Sequence, residues 1–163
     1  MSQDSVIDIA GLNIAIVAAW FNDDVTQGLL AGVVKTLTES GLSESQYKII
    51  RVTGAVELAQ AAMPLAKSGK FDAIIALGAI IRGKTSHYDH VCSMTAHGLQ
   101  RVSLDTGLPV VFGVLTCDNV QQARERISYD RVGHKGEGHK GEEAARTALE
   151  MIAVMREVRA ICQ

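Results

Sequence analysis

The chain has 163 residues, 47% of them hydrophobic and 21% charged, enough to bury one core in one domain. A net charge of −2 excludes the basic balance expected of a partner for nucleic acid or an anionic membrane. No apolar run reaches the roughly 20 residues that span a bilayer. The opening MSQDSVIDIAG has no basic stretch ahead of an apolar one, so no signal peptide is expected. Cys92, Cys117 and Cys162 are odd in number and far apart. They read as reduced thiols of a cytoplasmic protein, without zinc spacing.

The predicted elements alternate. A first strand covers 14–21 (IAIVAAWF), and Val25, Leu29, Val33 and Leu37 then mark a helix that stops at Gly41. A second strand covers 48–52, followed by a helix over Glu57–Lys67 that SGK closes. A third strand, 72–81, leads into a helix marked by Val91, Met94, Leu99 and Val102 and ending near Gly107. A fourth strand, 109–116, precedes a short helix from Asn119 to about Ile127, capped by Asp118 or Asn119. Ala145, Ala148, Leu149, Ile152 and Met155 stripe a last long helix. The strands are continuous apolar runs, as in a parallel sheet covered on both faces. The expectation is a single-domain, doubly wound, flavodoxin-like α/β sandwich with a four-stranded parallel sheet.

In that fold the working site lies at the carboxyl ends of the strands. Those ends read WFN (20–22), TGAVE (53–57), RGKTSHYDH (82–90) and GVLTCDN (113–119). GAIIRGKT (78–85) satisfies the P-loop pattern, but Ala79, Ile80, Ile81 and Arg82 continue an apolar strand where a P-loop needs an open turn. Gly83, Lys84 and Thr85 can still form a simpler anion site at a helix N-terminus. His87 and His90 give H-x-x-H, but no Asp, Glu or Cys completes a clear ligand set, so no metal site is expected. His97 is unassigned.

The segments WFN, GAVE, DAIIALGAIIRGKTSHYDHV, GLQRVSLDTGLPVVFGVLT, QQARERI and HKGEEAARTALEM, in that order, resemble the lumazine synthase family over roughly residues 12–155. The resemblance implies condensation of 5-amino-6-(D-ribitylamino)uracil with 3,4-dihydroxy-2-butanone 4-phosphate. A Schiff base forms, phosphate leaves, and a second ring closes. No metal or organic cofactor is implied. The implied site lies between neighbouring subunits of a pentamer, and the product passes to riboflavin synthase.

By that resemblance Phe21 stacks on the pyrimidine, a role that suits an aromatic at the sheet edge. Gly54, Ala55 and Val56 offer backbone to the substrate, and Glu57 bonds the ribityl chain. The backbone of Ala79, Ile80 and Ile81 reads the uracil. Phe112 is contributed across the interface, and His87 moves protons, as an imidazole titrating near neutrality can. Gly83, Lys84 and Thr85 form the phosphate turn. Arg126 reaches the same phosphate from the adjacent subunit, where a guanidinium can bond it in a bidentate way. Trp20, Thr53, Leu58, Ala59, Ser86 and Tyr88 depart from the family pattern. Three of those positions usually carry proline, so looser turns and weaker substrate binding are expected, with activity retained. A non-catalytic flavin or lumazine binder, or a P-loop hydrolase, remains the alternative.

The tandem GHKGEGHKGEE (133–143) is the one repeat. Counting back from Glu143 puts Lys140 on the family's phosphate-side lysine and leaves Lys135 in the extra copy, though the opposite register stays open. Residues 133–142 are expected to be an inserted loop, with an N-terminal arm of about 11 residues at the other end. The repeated histidines read as passengers. By the same resemblance, extra length there implies a pentamer or decamer rather than an icosahedral capsid.

Overall fold

The computed structural model describes residues 8–129 and 138–163. Four strands form one parallel sheet in the order β2-β1-β3-β4: β1 Ile14–Ala19, β2 Tyr47–Val52, β3 Ala73–Ile81 and β4 Val110–Cys117. The central strands carry the continuous apolar runs. All six residues of β1 are buried, as are the first eight of β3. The edge strands β2 and β4 are only partly covered.

Among the described residues five α-helices flank the sheet: α1 Asp23–Glu39, α2 Glu57–Lys67, α3 His87–Thr106, α4 Val120–Glu125 and α5 Lys140–Ile161. Alternation along each strand splits the core. Ile14, Ile16, Ala18, Ile75 and Leu77 pack toward α1 and α5, while Ala15, Val17, Ile74 and Ala76 pack toward α2 and α3. The predicted stripe Val25, Leu29, Val33 and Leu37 is fully buried on α1. Gly41 follows that helix at φ 94, and Gly107 ends α3 at φ 67, backbone conformations that favour glycine.

Several predicted boundaries move. β1 stops at Ala19, so Trp20 and Phe21 lie beyond the strand and are exposed. A turn of 3-10 helix at Glu44–Gln46, not expected, leads into β2. Helix α3 begins at His87, one turn ahead of its first apolar marker Val91; His87, Asp89 and His90 are exposed, and Tyr88 is partly buried against the core. Asn119 is the cap of α4, its side chain accepting from Gln122 N–H at 2.9 Å. Helix α5 begins at Lys140, so residues 140–142 of the expected loop are helical. Lys135 and residues 130–137 lie outside the described residues.

Candidate active site

A cavity of about 400 Å³ opens at the carboxyl ends of β1, β2 and β3. It is lined by Phe21, Asn22, the stretch Gly54–Glu57, Ala79, Ile80, Ile81, Gly83, Thr85 and His87, with Tyr88 and Val91 behind them. Sequence reasoning selected most of these residues. It overlooked Asn22, which has φ 58 and donates from Nδ2 to the Ala79 carbonyl at 2.8 Å. A left-handed asparagine at a strand end, tied to the neighbouring strand, fixes where the preceding Phe21 points. The backbone helps: Phe21 N–H donates to Thr53 O at 3.0 Å. Phe21 itself is 72% exposed, its ring free to receive a flat ligand.

Gly54 sits where a Cβ would come within 3.0 Å of Glu57 Oε2. The missing side chain therefore leaves the Glu57 carboxylate its place at the start of α2. Beyond the last β1–β3 pair, Ala18 with Leu77, strand β3 runs on with β4 on one side only. Residues Ala79–Ile81 thus present main chain as well as side chain to the cavity. The same stretch rules out a P-loop, since Gly78–Ile81 are strand rather than open turn.

Between β3 and α3 lies the turn Gly83–Ser86. Gly83 and Thr85 line the cavity; Lys84 is exposed beside them and does not. Arg82, just before the turn, is already committed. It pairs with Asp118 at 2.9 Å and Asp89 at 3.3 Å, and its guanidinium lies 4.1 Å from the Tyr88 ring centroid. The hydrogen bond to Asp118 raises its already high pKa. Arg82 thereby ties the ends of β3 and β4 to α3.

Phe112, Arg126 and Lys140 are elsewhere. They line a second cavity, about 540 Å³, along the outer edge of β4 between α3 and α5. Arg126 donates from Nη1 to Gln122 O at 3.0 Å, and its own carbonyl accepts from Lys140 N–H at 2.9 Å. Lys140 Nζ pairs with Glu143 at 2.9 Å. The expected residues of one chain, Lys84 apart, therefore line two separate cavities.

His139, expected to be a passenger, is buried and organises the second half. Its Nδ1 accepts from Gly141 N–H at 3.1 Å, capping α5, and its ring bonds the Ile127 carbonyl. Tyr129 stacks on it at 4.5 Å. Burial pushes its pKa below the ordinary value, partly opposed by the nearby Glu142 carboxylate. The second copy of the repeat is thus seated: a Cβ on Gly141 would lie 2.2 Å from Leu29 O, so only glycine fits.

A family model described as 6,7-dimethyl-8-ribityllumazine synthase matches residues 11–156. The chain belongs to that family. Its activity is accordingly that of a lumazine synthase, a transferase of riboflavin biosynthesis acting on small-molecule substrates. The family implies an oligomer, and among the described residues no helix is long and apolar enough to cross a membrane.

The departures from the lumazine synthase pattern leave the cavity intact. Ser86, where the resemblance expects proline, holds φ −67, the angle proline would impose. Thr53 contributes its carbonyl to Phe21 N–H, a bond any residue can make. Tyr88 supplies the ring under Arg82.

Proposed function

We propose that condensation takes place where the first cavity of one subunit meets the second cavity of its neighbour. The split of the expected residues between two cavities of one chain carries this reading. Phe21 stacks on the ribitylaminouracil ring, with the main chain of Ala79–Ile81 along its edge. Gly54, Ala55 and Val56 offer backbone groups, and Glu57 accepts from the ribityl hydroxyls. Gly83, Lys84 and Thr85 hold the phosphate of the second substrate at the N-terminus of α3, where peptide dipoles favour an anion. The neighbour brings Arg126 and Lys140 to that phosphate and Phe112 to the ring.

His87, at the first position of α3, faces the same cavity. In this role it relays the two protons that the attacking amine gives up, one after the other, to the carbonyl oxygen, which leaves as water when the imine forms. A proton is then lost from the hydroxyl-bearing carbon as phosphate leaves the carbon next to it, the enol so formed tautomerises to a ketone, and the ribitylamino nitrogen attacks that ketone and expels a second water to close the ring. A cationic clamp on the phosphate stabilises the charge that accumulates as it leaves. No more than one general acid–base group and one clamp is required.

The protein would work as one domain in a cytoplasmic pentamer or decamer, with an N-terminal arm and an insertion upstream of α5, handing its product to riboflavin synthase. Mixed assembly tests the shared site. His87→Ala chains and Arg126→Ala chains, each inactive alone, are unfolded together and reassembled. Random mixing rebuilds about a quarter of the interfaces with both intact halves. Activity returning toward that fraction is the expected result; mixed particles as inactive as their parents would place both residues in one subunit's site and refute the reading.

A further inference from the structure

The turn that carries Phe21 is held by a side chain outside the cavity. Arg51, near the end of edge strand β2, reaches across to it. Its Nη2 donates to the Ala19 carbonyl at 3.1 Å and pairs with the carboxylate of Asp23. Its guanidinium carbon lies 3.9 Å from the centroid of the Trp20 ring. One side chain thus grips residues 19, 20 and 23, on both sides of Phe21. The planar guanidinium makes this possible, since it can stack by its face and bond by its edge at once.

Stability does not account for the arrangement. Nε and Nη1 of Arg51 are buried without a partner among the described residues. A buried, half-satisfied cation is a poor way to stabilise an edge strand. Its side-chain bonds and ring contact are with Ala19, Trp20 and Asp23, which bracket the turn. That turn is also the unusual piece of backbone here, with Asn22 the only non-glycine residue at positive φ among the described residues.

We propose that Arg51 is the positioning residue for substrate stacking, setting the Phe21 ring through its grip on Ala19, Trp20 and Asp23. This rests on the reading of Phe21 as the stacking ring. Two consequences separate it from a general structural role. Arg51 should govern binding of the heterocycle and leave the phosphate half alone. It should also govern the environment of Trp20, the chain's single tryptophan, whose fluorescence reports the stack without interference.

The test compares Arg51→Met, Arg51→Lys and Phe21→Ala in the assembled enzyme. Methionine keeps the aliphatic volume without the buried cation, so the fold should survive. The expected result for Arg51→Met is a shifted Trp20 emission and a KM for ribitylaminouracil raised about tenfold, ~1.4 kcal/mol. Its KM for the butanone phosphate should stay within about twofold. Arg51→Lys, cationic but unable to stack and bond together, should behave like Arg51→Met. Four results overturn the proposal: an unchanged emission, an unchanged KM for the heterocycle, a parallel rise in both KM values, or full rescue by lysine. If Phe21→Ala raises the heterocycle KM while Arg51→Met does not, only the proposal falls. If Phe21→Ala itself has no effect, the stacking reading fails and takes the proposal with it.

Discussion

His139 occupies the space a side chain at Gly32 would need: a Cβ there would come within 2.4 Å of His139 Cε1. One turn earlier on α1, a Cβ at Gly28 would lie 2.5 Å from Ile127 Cδ1. Helix α1 therefore offers a groove of two glycines, four residues apart, that receives the two segments bearing Arg126 and Lys140.

Filling that groove should be costly. Gly32→Ala forces a buried ring to move and is expected to destabilise by about 1–3 kcal/mol despite alanine's better helix propensity. Gly78→Ala is the control, because its Cβ would meet Ala19 and Leu58 at 3.5 Å, ordinary contact. Denaturant midpoints of the two variants check this. Equal midpoints would mean that His139 yields freely.

Stability should also depend on pH through His139. Burial lowers its folded pKa from the ordinary value near 6.5. The unfolded chain therefore binds the proton first as pH falls, so the contribution is fully present above the unfolded value. It is lost as pH drops through that value toward the lower folded one. The groups facing the ring are Tyr129, Lys35 from α1 and Glu142 from α5. Lys35 is 2.6 Å from Glu142, and that bond lowers the Glu142 pKa, keeping the carboxylate ionised throughout. His139→Asn keeps a capping acceptor and removes the titration. Its melting temperature should fall less than the wild type's between neutral and mildly acid pH.

The two lysines of the repeat should separate cleanly. Lys140 lines the second cavity beside Arg126. Lys140→Ala is expected to raise the KM for the butanone phosphate about tenfold, and Lys135→Ala to change it less than about twofold. Steady-state kinetics with the other substrate saturating decides it, and a larger effect at Lys135 reverses the register.

Asn22 makes two contributions that mutation can divide. Asn22→Gly tolerates the positive φ and loses the bond to Ala79; Asn22→Ala loses both. The KM for ribitylaminouracil should rise with each, and further with alanine. Stability should fall by about 1 kcal/mol more for alanine than for glycine. A glycine variant indistinguishable from wild type would show that the Ala79 bond has no part in placing Phe21.

Much of the fold was legible in the sequence because burial on both faces writes itself as uninterrupted apolar runs, as in β1 and β3. The errors came where that signal is borrowed for something else. Trp20 and Phe21 look like strand because they are apolar, yet they extend beyond it, exposed. The first turn of α3 has three exposed polar residues and only Tyr88 against the core, so the apolar markers begin at Val91 and leave its start unmarked. The candidates lining the first cavity stood out at the strand ends, while Arg126 and Lys140 came from the resemblance alone; that the candidates line two different cavities depends on packing around β4, which spacing does not encode. His139 was misjudged because its seat is built by Gly32, over a hundred residues earlier. Two glycines four apart in an otherwise good helix are costly by propensity, and that was the available hint of a close approach.

The seat against α1 also bears on how this gene can change. Gly32 and the Leu29 carbonyl admit one His-Lys-Gly, so doubling the pentapeptide cannot double the contact. Whatever precedes Gly138, the start of α5 is fixed by the seat and not by the length of chain delivered to it. Upstream length is thereby decoupled from the register of the last helix. That boundary is the natural place to splice in foreign sequence for display on the particle without shifting Lys140.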